Sequence, residues 1–186
     1  MSGIIRVYKR DDDGTLRFRE AWVDEEFGQF VVNHGAVGHQ SETDATDVDG
    51  EDAGNGLMEA FAAQCQEDGF SEIPQEEQHW VVAQFALKSK DGTERDKYLE
   101  RKATAALTGH LAWRGLGTVE RSEIADSRLN IFCLCPDVNK AVNAIKVCIR
   151  GEDLDFTKLS IGAAPFGDTS TFKAKHSPKA GAGFTL

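Results

Sequence analysis

Apolar and polar residues alternate at period two in three runs near the start of the chain. Residues 4–9 form the first, and Asp12, Asp13 and Gly14 after it have the chemistry of a hairpin turn. Residues 16–23 resume the alternation, with Leu16, Phe18, Glu20 and Trp22 on one face. A turn over residues 24–28 leads into a third run, residues 29–34, after which Gly35 and Gly38 permit a sharp change of direction. The pattern predicts an antiparallel meander. Residues 41–55 then carry Glu42, Asp44, Asp47, Asp49, Glu51 and Asp52 with almost no apolar residue, and are expected to form a mobile surface loop. Beyond it the period changes to that of a helix. Leu57, Phe61 and Cys65 share a face, with Asn55 as the expected N-cap and Gly69 as the stop. Phe70 and Ile73 are expected to pack back on the sheet, and residues 75–78 to link to the next segment.

From His79 onward the elements alternate. Residues 79–88 place Val81, Ala83, Phe85 and Leu87 on one face of a strand. Thr93 with Asp96 three residues later is a capping box for a long helix ending near Gly115, striped by Tyr98, Leu99, Ala103, Ala106, Leu107 and Leu111. Residues 118–125 make a polar strand, Asp126 and Ser127 a turn, and residues 128–135 a strongly apolar strand. Asp137 caps a second helix running to Gly151, and residues 159–163 form the last strand. The order strand, helix, strand, strand, helix, strand predicts a ferredoxin-like sheet with both helices on one face and the first and third strands in its middle. The whole chain is therefore expected to be α+β, with domains over residues 1–74 and 79–168. Residues 169–186, with Lys173, Lys175, His176 and Lys179 but no periodicity, are expected to be a flexible basic tail.

A ferredoxin-like sheet with helices on one side only leaves its other face bare. Trp80, Val82, Phe132 and Leu134 fall on that face and predict an apolar patch, covered by the first domain or by a second copy of the chain in a homodimer.

Charge changes the picture more than bulk composition does. Residues 1–80 carry 5 Lys+Arg against 19 Asp+Glu, a net of −14, whereas residues 81–186 carry 16 against 12, a net of +4. The acidic part repels phosphate backbones and attracts basic partners. Trp22, His34, Asp44, Asp47, Asp49 and Glu51 are the residues expected to meet such a partner. A calcium loop does not fit, because counting from Asp44 the glycine position falls on Asp49 and the closing glutamate position on Asn55. No apolar run is long enough to cross a bilayer and no secretory pattern opens the chain, so a cytoplasmic location without membrane contact is expected.

Two strands, a third followed by Gly-x-hydrophobic-Gly at Gly35, Val37 and Gly38, a variable segment, and a helix ending near Gly69 and Phe70 together resemble a WGR domain. The likeness covers residues 1–74. His34 stands at the family's tryptophan, Gly35 at its glycine and Ala36 at its arginine. In the poly(ADP-ribose) polymerases such domains contact DNA ends and neighbouring domains, so the resemblance implies the fold and, as an alternative function, nucleic-acid binding. Two of the three signature residues are not kept. An imidazole replaces the indole, and a methyl group that can neither pair with phosphate nor stack replaces the guanidinium.

No Ser-His-Asp order, P-loop or dinucleotide fingerprint is present, and no cofactor or metal is expected. Cys65, Cys133, Cys135 and Cys148 lack both disulfide-scaffold and zinc spacing and read as reduced, buried thiols. Gly115, Leu116, Gly117 and Thr118 look like half of a phosphate-cradling loop but lie between a helix and the following strand, where a turn suffices. The best enzymatic constellation is a corner formed by His110, Trp113, Arg114, Glu120 and Glu123, which as a second alternative would serve a small-molecule enzyme or sensor. The first expectation is a non-enzymatic interaction protein that binds and neutralises a basic protein partner through its acidic part.

Overall fold

Period-two alternation becomes two antiparallel sheets, and helical stripes become three helices, giving an α+β protein. The computed structural model describes residues 3–186. The chain divides into two compact units, Met1–Ile73 with Trp113–Gly115, and Pro74–Ala112 with Leu116–Leu186.

In the first unit, strands β1 (Ile5–Arg10), β2 (Leu16–Asp24), β3 (Gln29–Ala36) and β4 (Glu42–Asp47) form one sheet in chain order. Helix α1 (Glu51–Glu67) packs on one face of it. Its Met58 joins Ala21 and Phe30 in a small core flanked by Ile5, Val23, Val32, Leu57 and Phe61. Gly54 lets the helix close on the sheet, since a β-carbon there would sit 3.1 Å from Val23 Cγ2. Beyond the helix end Gly69 takes φ 81°, and the Phe70 N–H donates to the Cys65 carbonyl at 2.8 Å.

Two expectations are corrected here. Residues 41–55 are not a mobile loop: they supply β4 and the first turn of α1. Asn55 does not cap the helix, which starts earlier behind Gly50, with Glu51 and Asp52 in its first turn satisfying the helix dipole. Both errors share a cause. Every residue of β4 is exposed on both faces, so no hydrophobic period marks it, and pairing with β3 makes it a strand.

The face of this sheet opposite α1 holds buried Tyr8, Leu16, Phe18 and Val31. Crossing it is a polar row in register, Arg6, Glu20, Asn33 and Thr43. Glu20, 3 % exposed, is ion-paired with the Arg6 guanidinium, and the Thr43 hydroxyl donates to Asn33 Oδ1 at 2.7 Å. The buried carboxylate and amide are thus both satisfied.

The second unit has the ferredoxin-like order: β5 (His79–Ala86), α2 (Glu94–Ala112), β6 (Thr118–Ala125), β7 (Arg128–Cys135), α3 (Val138–Gly151), β8 (Leu159–Pro165). A ninth strand, β9 (Lys173–His176), extends the sheet to β6-β7-β5-β8-β9, all antiparallel, with β5 and β7 inside as the apolar runs require. Asp126 and Ser127 both take positive φ, 48° and 62°, which a two-residue hairpin between right-twisted strands demands. The capping box forms: Thr93 N–H donates to Asp96 Oδ2 at 2.8 Å, and Asp96 N–H donates back to Thr93 Oγ1 at 3.3 Å. Asp137 accepts from the Lys140 N–H at 2.9 Å at the start of α3. Asp137→Ala is expected to cost about 1 kcal/mol, read as a lower urea midpoint with an unchanged m-value.

The tail expectation is overturned. Residues 173–176 are paired with β8, and Phe184 is 8 % exposed. The apolar-patch expectation falls with it. Val82, Phe132 and Leu134 are buried and Trp80 half-buried, and Phe172 and Phe184 of this same segment pack against Val82, Phe132 and Trp80. Trp80 is further stacked on Phe166, with ring centroids 5.8 Å apart. The cover over this face thus includes the chain's own C-terminal residues, where the first domain or a second copy was expected. Beside the aromatics lies a second polar row. Gln84 Nε2 donates to Asn130 Oδ1 at 2.8 Å and to the Thr185 carbonyl at 2.9 Å, and Arg128 donates to the same carbonyl at 3.0 Å.

Candidate functional site

The acidic charge concentrates in the first unit. It carries six Lys+Arg against 17 Asp+Glu, a net of −11, which leaves the second unit, with 15 against 14, at +1. Several of these carboxylates gather where β4 runs out and turns into α1: Glu42, Asp44 and Asp47 on the strand, Asp49 in the turn, and Glu51 and Asp52 in the first helical turn, all exposed.

Pairing register places each expected partner-binding residue. His34 lies opposite Glu42, and its Nε2 is 3.2 Å from Asp44 Oδ2, both on the face that carries α1. Trp22 is opposite Val31, which is opposite Ala45, so Trp22, Ala45 and Asp47 face the other way. Asp47 accepts from the Gln29 amide at 3.0 Å. The six residues therefore do not converge on one face. What the carboxylates share is the sheet edge.

The backbone of that edge can be read from the hydrogen-bond parity. The Val37 N–H donates to the Leu16 carbonyl, so alternate residues of β3 from Gln29 to Gly35 bond to β2, and Phe30, Val32 and His34 bond to β4. The Val48 N–H donating to the Gly28 carbonyl at 2.8 Å continues the same parity on the β4 side. Glu42, Asp44 and Thr46 consequently point their N–H and C=O groups inward, and Thr43, Ala45 and Asp47 point theirs outward. Among the described residues no backbone group bonds to these three.

The other sheet edges are closed or blunted. On β1, Tyr8 exchanges both hydrogen bonds with Ser71, at 2.8 and 2.9 Å. On β6 a bulge interrupts the register between Val119 and Arg121. β9 has four residues, two of them lysines. β4 has six residues with no bulge, proline or lysine and, among the described residues, no bridge along its outer side.

Within the second unit, His110 and Glu123 of the expected corner are not brought together. Ser122 donates to Glu100 of α2 at 2.7 Å and so marks the helix side of β6. Glu123 alternates to the opposite side, where it pairs with Arg121 at 2.8 Å and lies 3.5 Å from the Asn130 amide. Arg121 in turn lies over the Phe132 ring, 3.4 Å from its centroid. Glu120 occupies the bulge, exposed, while His110 is on α2. Trp113 and Arg114 belong to the first unit, where their carbonyls accept from Ser41 and Gly38 at 2.8 Å. His110 and Glu123 are thus on opposite sides of one sheet, a separation that strand alternation made legible in the sequence.

Two clefts open on the second unit. One of about 520 Å³ is lined by Phe85, Tyr98, Leu99 and the Thr93–Asp96 cap, whose hydroxyl donates to Asp96 and holds that carboxyl below its usual range. The other, of about 390 Å³, is lined by His79, Thr171, Lys173 and Lys175. In the first, the Thr93 hydroxyl and the Asp96 carboxylate are engaged in the cap of α2. All four cysteines are free and buried; burial first, then Glu120 and Cys148, pushes the Cys133 thiol up to about 12, where it is inert. Among the described residues no cluster of His, Cys, Asp or Glu could hold a metal ion, and no helix is long and apolar enough to cross a membrane.

No family model, curated protein or solved structure matches the chain.

Proposed function

We propose that this is a non-enzymatic interaction protein whose acidic first unit binds a basic protein partner. The observation that carries the reading is the exposed carboxylate edge on a unit of net −11. Opposite potentials speed encounter and select against acidic and nucleic-acid competitors. Neutralising a basic toxin or nuclease is the kind of role this charge suits. Four free, buried cysteines support a reducing, cytoplasmic setting.

The WGR-like reading of the first unit is supported by its meander of strands, the turn at Gly38 with φ 90°, and a helix ending before Gly69. That family's DNA contact is not favoured here. Ala36 offers no cation, and His34 is engaged with Asp44 on an acidic edge.

The test is a pull-down with the full chain at low and at moderate salt, alongside the triple variant Glu42→Gln, Asp44→Asn, Asp47→Asn. The unaltered chain is expected to retain a basic protein that the triple variant releases. Recovery of no basic protein at either salt, or equal recovery by both chains, overturns the reading.

A further inference from the structure

The open edge of β4 has a chemistry that charge alone does not describe. Thr43, Ala45 and Asp47 present outward N–H and C=O groups at every second residue, a row spanning about 13 Å at strand rise. Such a row is a template for another strand, and proteins ordinarily blunt it with lysine, proline, bulges or shortness. The β1, β6 and β9 edges use these devices or are covered. β4 carries acids in their place.

Those acids decide which strand can pair. A second β4 laid alongside, in either direction, would bring the same carboxylates to the seam with no cation among them, on two units of net −11 each, and like charges gathered across a sheet are unfavourable. An apolar strand would leave the carboxylates beside it unpaired. A strand with lysine or arginine at alternate positions would place its cations within about 5 Å of Glu42 and Asp44 on the α1 face, while its own amides met the outward groups of Thr43, Ala45 and Asp47. Asp44 keeps 79 % of its side chain exposed even while touching His34, so it remains available to such a cation.

We infer that the basic partner docks by adding an extended strand of alternating basic residues along β4, continuing the sheet as β1-β2-β3-β4-partner. Resting on the reading of a basic partner given above, it adds the mode: the main chain supplies affinity and the carboxylates select the sequence. Ala45 is the position that separates the two. Its N–H points outward, so Ala45→Pro removes an edge donor and sets a ring on the edge without breaking a bond to β3 or altering any charge.

The probe is a short peptide of alternating lysine and valine, titrated by fluorescence anisotropy against the full chain. The peptide is expected to bind, and Ala45→Pro is expected to weaken it by about tenfold or more. A copy of the peptide N-methylated throughout, with the same charge but no donors, is expected to lose affinity to the same degree on the unaltered chain, which gives the readout even if Ala45→Pro does not fold. Equal binding of the plain and N-methylated peptides overturns edge pairing while leaving the basic-partner reading standing. Failure of the plain peptide to bind at all also overturns edge pairing, because backbone pairing needs no particular side chain beyond the cations supplied. The pull-down then decides the basic-partner reading separately.

Discussion

Phe184→Ala is expected to destabilise the second unit by about 3 kcal/mol, with a lower urea midpoint and new binding of a hydrophobic dye. The ring lies on Val82 and Phe132, which are 0 % and 2 % exposed, and 5.5 Å from the Phe172 ring. It is also seated over Gly162: a β-carbon built there would overlap the Phe184 ring. Truncation removes the ring's own burial and uncovers the two side chains beneath it. The expected cost is at the low end for a phenylalanine because one side of the site is near solvent and can be wetted. The geometry supplies a further check. Gly162→Ala should destabilise by displacing the same ring, so in the Phe184→Ala background it should cost little, and the two effects should fail to add. A loss below about 0.5 kcal/mol for Phe184→Ala, or full additivity, would show that this segment does not hold the face closed.

That segment marks the limit of what the residues declared in advance. The central strands were legible because β5 and β7 keep one face wholly apolar, with Val81, Ala83 and Phe85, and Leu129, Ile131 and Cys133, at every second position. The α2 and α3 starts were legible because Thr93, Asp96 and Asp137 are short-range devices whose partners lie within three residues. The bare face was also legible, but its cover was not. Phe172 and Phe184 stand alone among Gly, Ala, Ser, Thr and Lys, and a single aromatic has no period. β9 is a strand through its pairing with β8, with three of its four residues exposed.

The candidate site was hidden for the same reason. The carboxylates of residues 42–52 were evident, but charge runs are most often solvated surface, and nothing in Glu-Thr-Asp-Ala-Thr-Asp announces a strand except its two threonines. Its partner β3 is what fixes it. Once paired, the acidic run ceases to be a diffuse field and becomes a ruled edge with donors at known residues. His34, singled out as the stand-in for a signature tryptophan, turns out to face Asp44 across that pairing, so its neighbour in space is the edge itself.

Gly117→Ala is expected to be the most damaging single methyl in the chain, costing more than about 3 kcal/mol and abolishing soluble, folded protein at ordinary growth temperature. Two penalties coincide. Gly117 sits at φ 88°, where an L side chain is strained by about 1–2 kcal/mol. The β-carbon would also fall on the carbonyl oxygen of Leu134, and what it meets is backbone, with no flexible side chain to swing away. Leu134 is in β7, an inner strand, opposite Thr118 where β6 begins. Relief of the overlap would require β7 to shift against β5, and the register there is set by buried side chains on both faces, so the chain cannot yield locally. The glycines around Leu116 that resembled a phosphate cradle therefore serve the sheet instead. Gly117 brings the chain from the end of α2 close against an inner strand so that β6 can start pairing at once. A Gly117→Ala protein that keeps the parental urea midpoint would mean that β6 enters the sheet by another path.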